Sequence, residues 1–235
     1  MLIDQYFTER EGKISFTREQ GSNFAKQVAD DFNPIHDINA RRFCIPGDLL
    51  FSIILSKYGL SRHMEFGFTG MVLDGVELIM PEPAEDLALN DIEGKQYLTI
   101  RRTGECTHSA SLIDTLTRAY VEFSGHSFPH LLIPVLAKHN VMINPARPVA
   151  MYESMSIDLD RLDITSPSLE FDHDEVVING KRGEMQLAFH LIDAGEIVGR
   201  GVKRLIFSGL REYEKQAMED IVISLNRRKA DFLPH

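Results

Sequence analysis

Asp31-Phe32-Asn33-Pro34-Ile35-His36 is followed, after a short polar link, by Pro46-Gly47-Asp48 and the apolar run Leu49-Leu50-Phe51-Ser52-Ile53-Ile54-Leu55. A proline disfavours helical dihedrals at the residue before it, so a helix arriving through Asp30 and Asp31 is expected to end near Phe32. Asp31 then lies on the last helical turn and His36 just beyond the break. The chain can fold back there and aim a carboxylate and an imidazole into one space, which is how a general acid/base pair is assembled from neighbouring residues. A solvated surface turn would use the same residues, because Asp, Asn and Pro are all common in turns.

The flanks support two helices around this break. Thr17-Arg18-Glu19-Gln20 fits a capping box, and Phe24, Ala25, Val28 and Phe32 fall on one face of the helix that follows. Pro46 suits the start of the next helix, where a missing N–H costs little, and Asp48 complements the positive end of its dipole. This second helix, expected over 47 to 60, is apolar nearly all round until Lys57 and reads as buried, with Gly59 as its stop.

The Asp-x-Asn-Pro-Ile-His stretch, preceded by a helix and followed by a Gly-led apolar helix, resembles the signature of MaoC-like (R)-specific enoyl-CoA hydratases, across about residues 17 to 60. The resemblance implies a hot-dog fold and water addition to an enoyl thioester. In that family the motif's Asp and His activate the water, its Asn helps fix them, and a glycine at the start of the central helix offers its N–H to the thioester oxygen. Those roles would fall here on Asp31, His36, Asn33 and Gly47. Three features depart from the pattern: Ala29-Asp30 replaces the usual small-Gly step, Pro46-Gly47 replaces a His-Gly pair, and the link between the elements is shorter. Asp30, Pro46 and Asp48 thus stand beside the reacting atoms as expected substrate contacts. Arg41 and Arg42, together with Lys26, Lys57 and Arg62, could meet an anionic acyl-CoA, although isolated Lys and Arg are mostly solvated.

Composition excludes several classes. The 235 residues are 43% hydrophobic and 26% charged, as in an ordinary globular protein of one large or two small domains. The formal charge of −10, without a basic stripe, argues against nucleic acid as partner. The apolar run after Gly47 is well short of the ~18 residues that a membrane-spanning helix needs. Met1-Leu2-Ile3-Asp4 lacks a basic start, so a cytoplasmic protein is expected. Cys44 and Cys106 make neither a disulfide framework nor a metal knuckle, and each reads as an incidental thiol. His126 and His130 are spaced i, i+4, but Pro129 interrupts them and no third ligand follows, so no metal or other cofactor is expected beyond the CoA or pantetheine that carries the substrate.

The rest of the chain reads mainly as strands. Ile14-Ser15-Phe16 is a short first strand after a polar and uninformative start. Strands follow over 66 to 73 and 76 to 80, with Asp74-Gly75 as a hairpin turn, then over 96 to 101, 109 to 113 and 118 to 123. Pro81 to Asp86 is an acidic loop. Phe123-Ser124-Gly125 recurs as Phe207-Ser208-Gly209, and Leu112-Ile113-Asp114 as Leu191-Ile192-Asp193, each pair bracketing an expected hairpin and suggesting a repeat. A short apolar helix over 129 to 137 is followed by strands over 149 to 159, 168 to 178, 184 to 193 and 197 to 207, with Asn179-Gly180 as a hairpin turn. An amphipathic helix carrying Leu210, Tyr213, Ala217, Ile221 and Leu225 closes the chain, with Arg227-Arg228-Lys229 at the negative end of its dipole.

These elements predict an α+β hot-dog fold, doubled in one chain: a unit over 1–125 bearing the motif and a second over 126–235 without it. The halves would mimic the homodimer of single-unit relatives, and the chain could itself form a homodimer. The expected function is hydration of a trans-2-enoyl thioester. The alternatives are thioester hydrolysis and a non-catalytic acyl-thioester or lipid-binding module. No phosphate loop, dinucleotide glycine pattern or Gly-x-Ser-x-Gly elbow is present.

Overall fold

The computed structural model describes residues 2–145 and 150–232. The capping box forms as expected: the Thr17 hydroxyl accepts from the Gln20 N–H at 3.1 Å, and the Gln20 side chain accepts from the Thr17 N–H at 2.9 Å. It opens α1 (Arg18–Gln27), which ends earlier than the proline rule suggests. The Ala29 N–H reaches back to the Phe24 carbonyl and the Asp31 N–H to that of Ala25, while Asp30 takes φ 51°. A left-handed residue stops a helix, and Asp tolerates that region better than most. Asp31 therefore lies beyond the helix and not on its last turn. A single 3₁₀ turn (Pro34–His36) follows, capped by the Asn33 side chain.

α2 (Gly47–Tyr58) is the central helix, stopped by Gly59 at φ 81°. Nine of its 12 residues are buried, so it has almost no solvent face. Each fully buried Leu, Ile or Phe contributes about 1.5–3 kcal/mol of transfer free energy, which makes α2 the main anchor of the core.

The strands are β1 (Thr8–Arg10), β2 (Lys13–Ser15), β3 (Leu60–Phe68), β4 (Leu78–Ile79), β5 (Asp86–Asp91), β6 (Gln96–Thr107), β7 (Val141–Met142), β8 (Ala150–Leu159), β9 (Ser168–Asn179), β10 (Arg182–Asp193), β11 (Glu196–Ser208) and β12 (Arg211–Glu212). Ten of them form one antiparallel sheet in the order β1-β2-β4-β5-β6-β3-β8-β11-β10-β9, while β7 and β12 pair separately. The two halves meet where β3 pairs with β8, from His63 opposite Asp158 to Gly67 opposite Ser154. The Asn179-Gly180 turn joins β9 to β10 as expected.

Several expectations fail. The polar start carries a 3₁₀ turn (Leu2–Tyr6), and Ile3, Tyr6 and Phe7 are buried against the core. Asp74-Gly75 is a turn but not a hairpin, because β3 pairs with β6 and β8 while β4 pairs with β2 and β5. The strands expected over 109 to 113 and 118 to 123 are one helix, α3 (Ala110–Ser127). Its buried residues Leu112, Ile113, Leu116, Tyr120, Val121 and Ser124 recur at three and four, a helical period that overrides their strand-like composition. The tripeptide recurrences therefore link helix to strand and mark no repeat. The boundary expected after residue 125 falls in the last turn of α3. A π turn (Phe128–Leu132) continues α3 into α4 (Ile133–Lys138). The closing helix is α5 (Lys215–Phe232), with Met218 and Leu225 buried.

This is the hot-dog fold: an antiparallel sheet wrapped on buried helices, here with α2 and α3 packed together in one core. Phe51 of α2 meets Phe66 of β3 with ring centroids 5.2 Å apart and Tyr120 of α3 at 4.6 Å, and Tyr120 meets Phe189 of β10 at 5.9 Å. Among the described residues no helix is long and apolar enough to cross a membrane.

Candidate active site

A cavity of about 790 Å³ lies between the 31–36 loop, the start of α2, residues 67–72, the end of α3, and strands β8 and β11. Asp31, Asn33, His36, Pro46, Gly47 and Asp48 all line it. Residues from adjacent stretches of sequence therefore converge there because α2 begins directly beneath the loop that ends α1.

Asp31 and His36 face each other, with Oδ2 and Nε2 3.5 Å apart and side chains 20% and 12% exposed. Each is held from behind. Asp31 Oδ1 accepts the Asn33 N–H at 2.8 Å, and His36 Nδ1 is 2.7 Å from the Cys44 carbonyl. That carbonyl can only accept, so Nδ1 carries the proton and Nε2 of the neutral ring is an acceptor. Asn33 acts through its side-chain oxygen, which accepts the Ile35 N–H at 3.2 Å and so caps the turn bearing His36.

The first turn of α2 has no side-chain cap; the Leu49 N–H bonds the Pro46 carbonyl at 3.1 Å, and the N–H groups of Gly47 and Asp48 lie at the positive end of the helix dipole. A Cβ at Gly47 would come 3.0 Å from Phe68 and 3.2 Å from Tyr152, so a side chain there would press on both rings.

Sequence reasoning missed a charged cluster in the cavity lining, built on Ser124 and Lys203. Lys203 of β11 is 6% exposed, and its ammonium donates to the Ser124 Oγ at 2.5 Å and lies 4.6 Å from the centre of the Tyr152 ring. Ser124 in turn donates to Asp48 Oδ2 at 2.6 Å. Tyr152 and Tyr120 hydrogen-bond through their hydroxyls beside it. Burial pushes the Asp48 carboxyl up and the Lys203 ammonium down, each opposed by the other's charge. Asp48 Oδ1 is buried and has no hydrogen-bond partner among the described residues. A signal for Lys203 was present in the sequence: Gly201, Lys203, Leu205 and Phe207 alternate on the inward face of β11, and a lysine breaks an otherwise apolar row.

The remaining expected residues lie elsewhere. Asp30 is not part of the cavity lining. Its carboxylate pairs with Lys229 of α5 and, at 2.5 Å, with His126 of α3. Burial opposes its ionisation, but the hydrogen bonds and charges of Lys229 and His126 outweigh it and hold the carboxyl below its ordinary value. Arg41 and Arg42 are exposed and do not line the cavity. Lys26 and Arg228 both pair with Asp37, and Lys57 pairs with Glu9. Cys44 lines the cavity, yet burial pushes its thiol up to about 12, so it is no nucleophile at neutral pH.

A family model described as a protein of unknown function, DUF3581, matches residues 1–216. The chain belongs to that family. The match ends at the start of α5, so Arg228 and Lys229 lie beyond it. No curated protein matches the chain by sequence. It is similar to three solved structures. A TesB protein of Mycobacterium avium subspecies paratuberculosis has TM-score 0.49 and 10% identity, over 88% of this chain and 98% of that one. A MaoC-like dehydratase has TM-score 0.46 and 11% identity, over 87% and 98%. An acyl-CoA thioesterase II, TesB2, of Mycobacterium marinum has TM-score 0.41 and 8% identity, over 92% and 99%.

Proposed function

We propose that the cavity binds an acyl thioester and that Asp31 and His36 catalyse reversible hydration of its trans-2-enoyl form. The carrying observation is the pair of facing acceptors 3.5 Å apart. With the ring neutral, neither the Asp31 carboxylate oxygen nor His36 Nε2 has a proton to offer the other, so the group that bridges them from the cavity side is one with two hydrogens to donate, a water. That water is polarised from both sides and oriented by groups whose own positions are fixed by Asn33 and Cys44.

In the forward direction the water oxygen attacks C3 of the enoyl thioester while the dyad takes one of its protons. The C2–C3 π electrons move onto the thioester carbonyl, and charge on that oxygen is met by N–H groups of the first turn of α2, including Gly47. The dyad returns the proton to C2, so one water is consumed and a 3-hydroxyacyl thioester results. Arg41 and Arg42, exposed on the segment between the dyad and α2 and outside the cavity lining, would meet the phosphates of a CoA carrier in this reading.

The test is a spectroscopic assay of the full chain on enoyl-CoA and enoyl-pantetheine substrates of several lengths, with product identification. A 3-hydroxyacyl thioester is the expected product. A free thiol would mean that the polarised water attacks the thioester carbonyl, which makes the protein a thioesterase. Binding without either product would make it an acyl-thioester-binding module.

A further inference from the structure

Asp31 and His36 sit on the loop after α1, while the N–H groups proposed for the thioester oxygen sit at the start of α2. The last turn of α3 touches both. Gly125 backs the dyad segment, since a Cβ there would overlap the Ala29 carbonyl oxygen and come 3.4 Å from the Asp31 amide nitrogen. Its neighbour Ser124, 4% exposed, donates its hydroxyl hydrogen at 2.6 Å to Oδ2 of Asp48, the residue after Gly47. Two consecutive residues thus hold the two parts of the site, one by close backbone contact and one by a hydrogen bond.

The direction of that bond is set by Lys203. Its ammonium lies 2.5 Å from the Ser124 Oγ and can only donate, so it occupies a lone pair of the hydroxyl and leaves the single hydrogen for Asp48. Ser127 donates to the Ser124 carbonyl at 2.6 Å and steadies the turn that carries both residues. The second copy of the tripeptide has no such place, because Ser208 and Gly209 are exposed at the end of β11.

We propose that Ser124 is a positioning residue: through Asp48 it holds the start of α2 at a fixed separation from the Asp31/His36 pair. This rests on the acyl-thioester reading above and assigns the spacing between its water and its oxyanion donors to α3. Such a tie matters because a misplacement of about 1 Å can lower a rate by roughly 10²-fold.

Ser124→Ala removes the hydroxyl and Ser124→Thr keeps it. Hydrogen exchange, read by mass spectrometry on the full chain, needs no turnover. Exchange in Ser124→Ala should quicken severalfold in residues 29–36 and at the start of α2 together, and Ser124→Thr should return both to wild-type rates. On one enoyl thioester, Ser124→Ala should lower kcat by about 10- to 10²-fold with KM within about twofold of wild type, and Ser124→Thr should recover most of the loss. Where either variant does not fold, Ser124→Cys, which donates only weakly, is compared with wild type in its place and should show the same coupled change. A lower Tm with unchanged kcat would mean that Ser124 supports packing alone and would overturn the proposal. Exchange that quickens in one segment and not in the other would also overturn it. Coupled exchange in a chain whose wild type hydrates no enoyl thioester would uphold the tie and overturn the hydratase reading.

Discussion

Gly125 lies so close to Ala29 that a Cβ built on it would overlap the Ala29 carbonyl oxygen and sit 3.4 Å from the Asp31 amide nitrogen. The end of α3 thus forms the back wall of the segment that carries the dyad, and it does so only because residue 125 has no side chain. Gly125→Ala should cost about 1–3 kcal/mol through overpacking and displace Asp31. The expected result is a lowered Tm with a fall in kcat larger than any rise in KM, measured by thermal unfolding and steady-state kinetics on one enoyl thioester.

Asp31→Asn and His36→Ala should each lower turnover by about 10²-fold or more while leaving Tm within a few degrees, because both side chains line a cavity and pack in no apolar cluster. Asn33→Ala should be milder, since it loosens the turn bearing His36 without touching the water. Turnover that survives both dyad substitutions would assign the chemistry elsewhere.

Lys203→Met alone should be among the most destabilising single changes in the chain. It leaves the Asp48 carboxylate buried without its counter-charge, a loss of about 3–5 kcal/mol for a broken buried pair. Adding Asp48→Leu should restore most of that stability, because removing both charges relieves both desolvation costs. Chemical denaturation of the two variants checks the sign of the difference.

The Asp30 carboxyl is held below its ordinary value in the folded chain, with Lys229 and His126 outweighing burial. A depressed carboxyl favours the fold wherever it is ionised in both states. Its contribution is therefore present above the unfolded carboxylate value and is lost as pH falls through the folded one. Wild type should exceed Asp30→Asn in Tm at neutral pH, and the gap should close in acid. A gap that persists in acid would mean that the effect does not come from the charge.

Arg228→Met/Lys229→Met removes the ion pairs that tie the end of α5 to Asp37 and Asp30 on either side of the dyad. Turnover should fall severalfold and become less dependent on ionic strength, because exposed pairs are screened by salt. Kinetics over a salt series reads both effects.

The parts of this molecule written in the sequence are those fixed by neighbours along the chain. Thr17 with Gln20, Gly59 after α2, and Asn179-Gly180 depend on a few adjacent residues, and each forms where expected, while Asp31 and His36 face each other from a loop beyond the helix. α1 ended early because Asp30 takes a left-handed turn that long-range partners on α3 and α5 hold in place. α3 was misread because Tyr120, Val121 and Phe123 favour strands locally, and only the core against α2 and β10 makes the helical period decisive. Ser124 and Lys203 are 79 residues apart, and neither signals the other before β11 is registered against β8.

The seam at β3 and β8 joins the strands of both halves of the chain into one continuous sheet. In an assembly of identical subunits, every substitution appears in each copy, so a residue useful at one position must be tolerated at its symmetry mate. Here β11 and α3 can carry Lys203 and Ser124 with no matching lysine or serine imposed on the half that carries Asp31 and His36. The two walls of this pocket therefore lie on different stretches of one polypeptide, and each can change without the other.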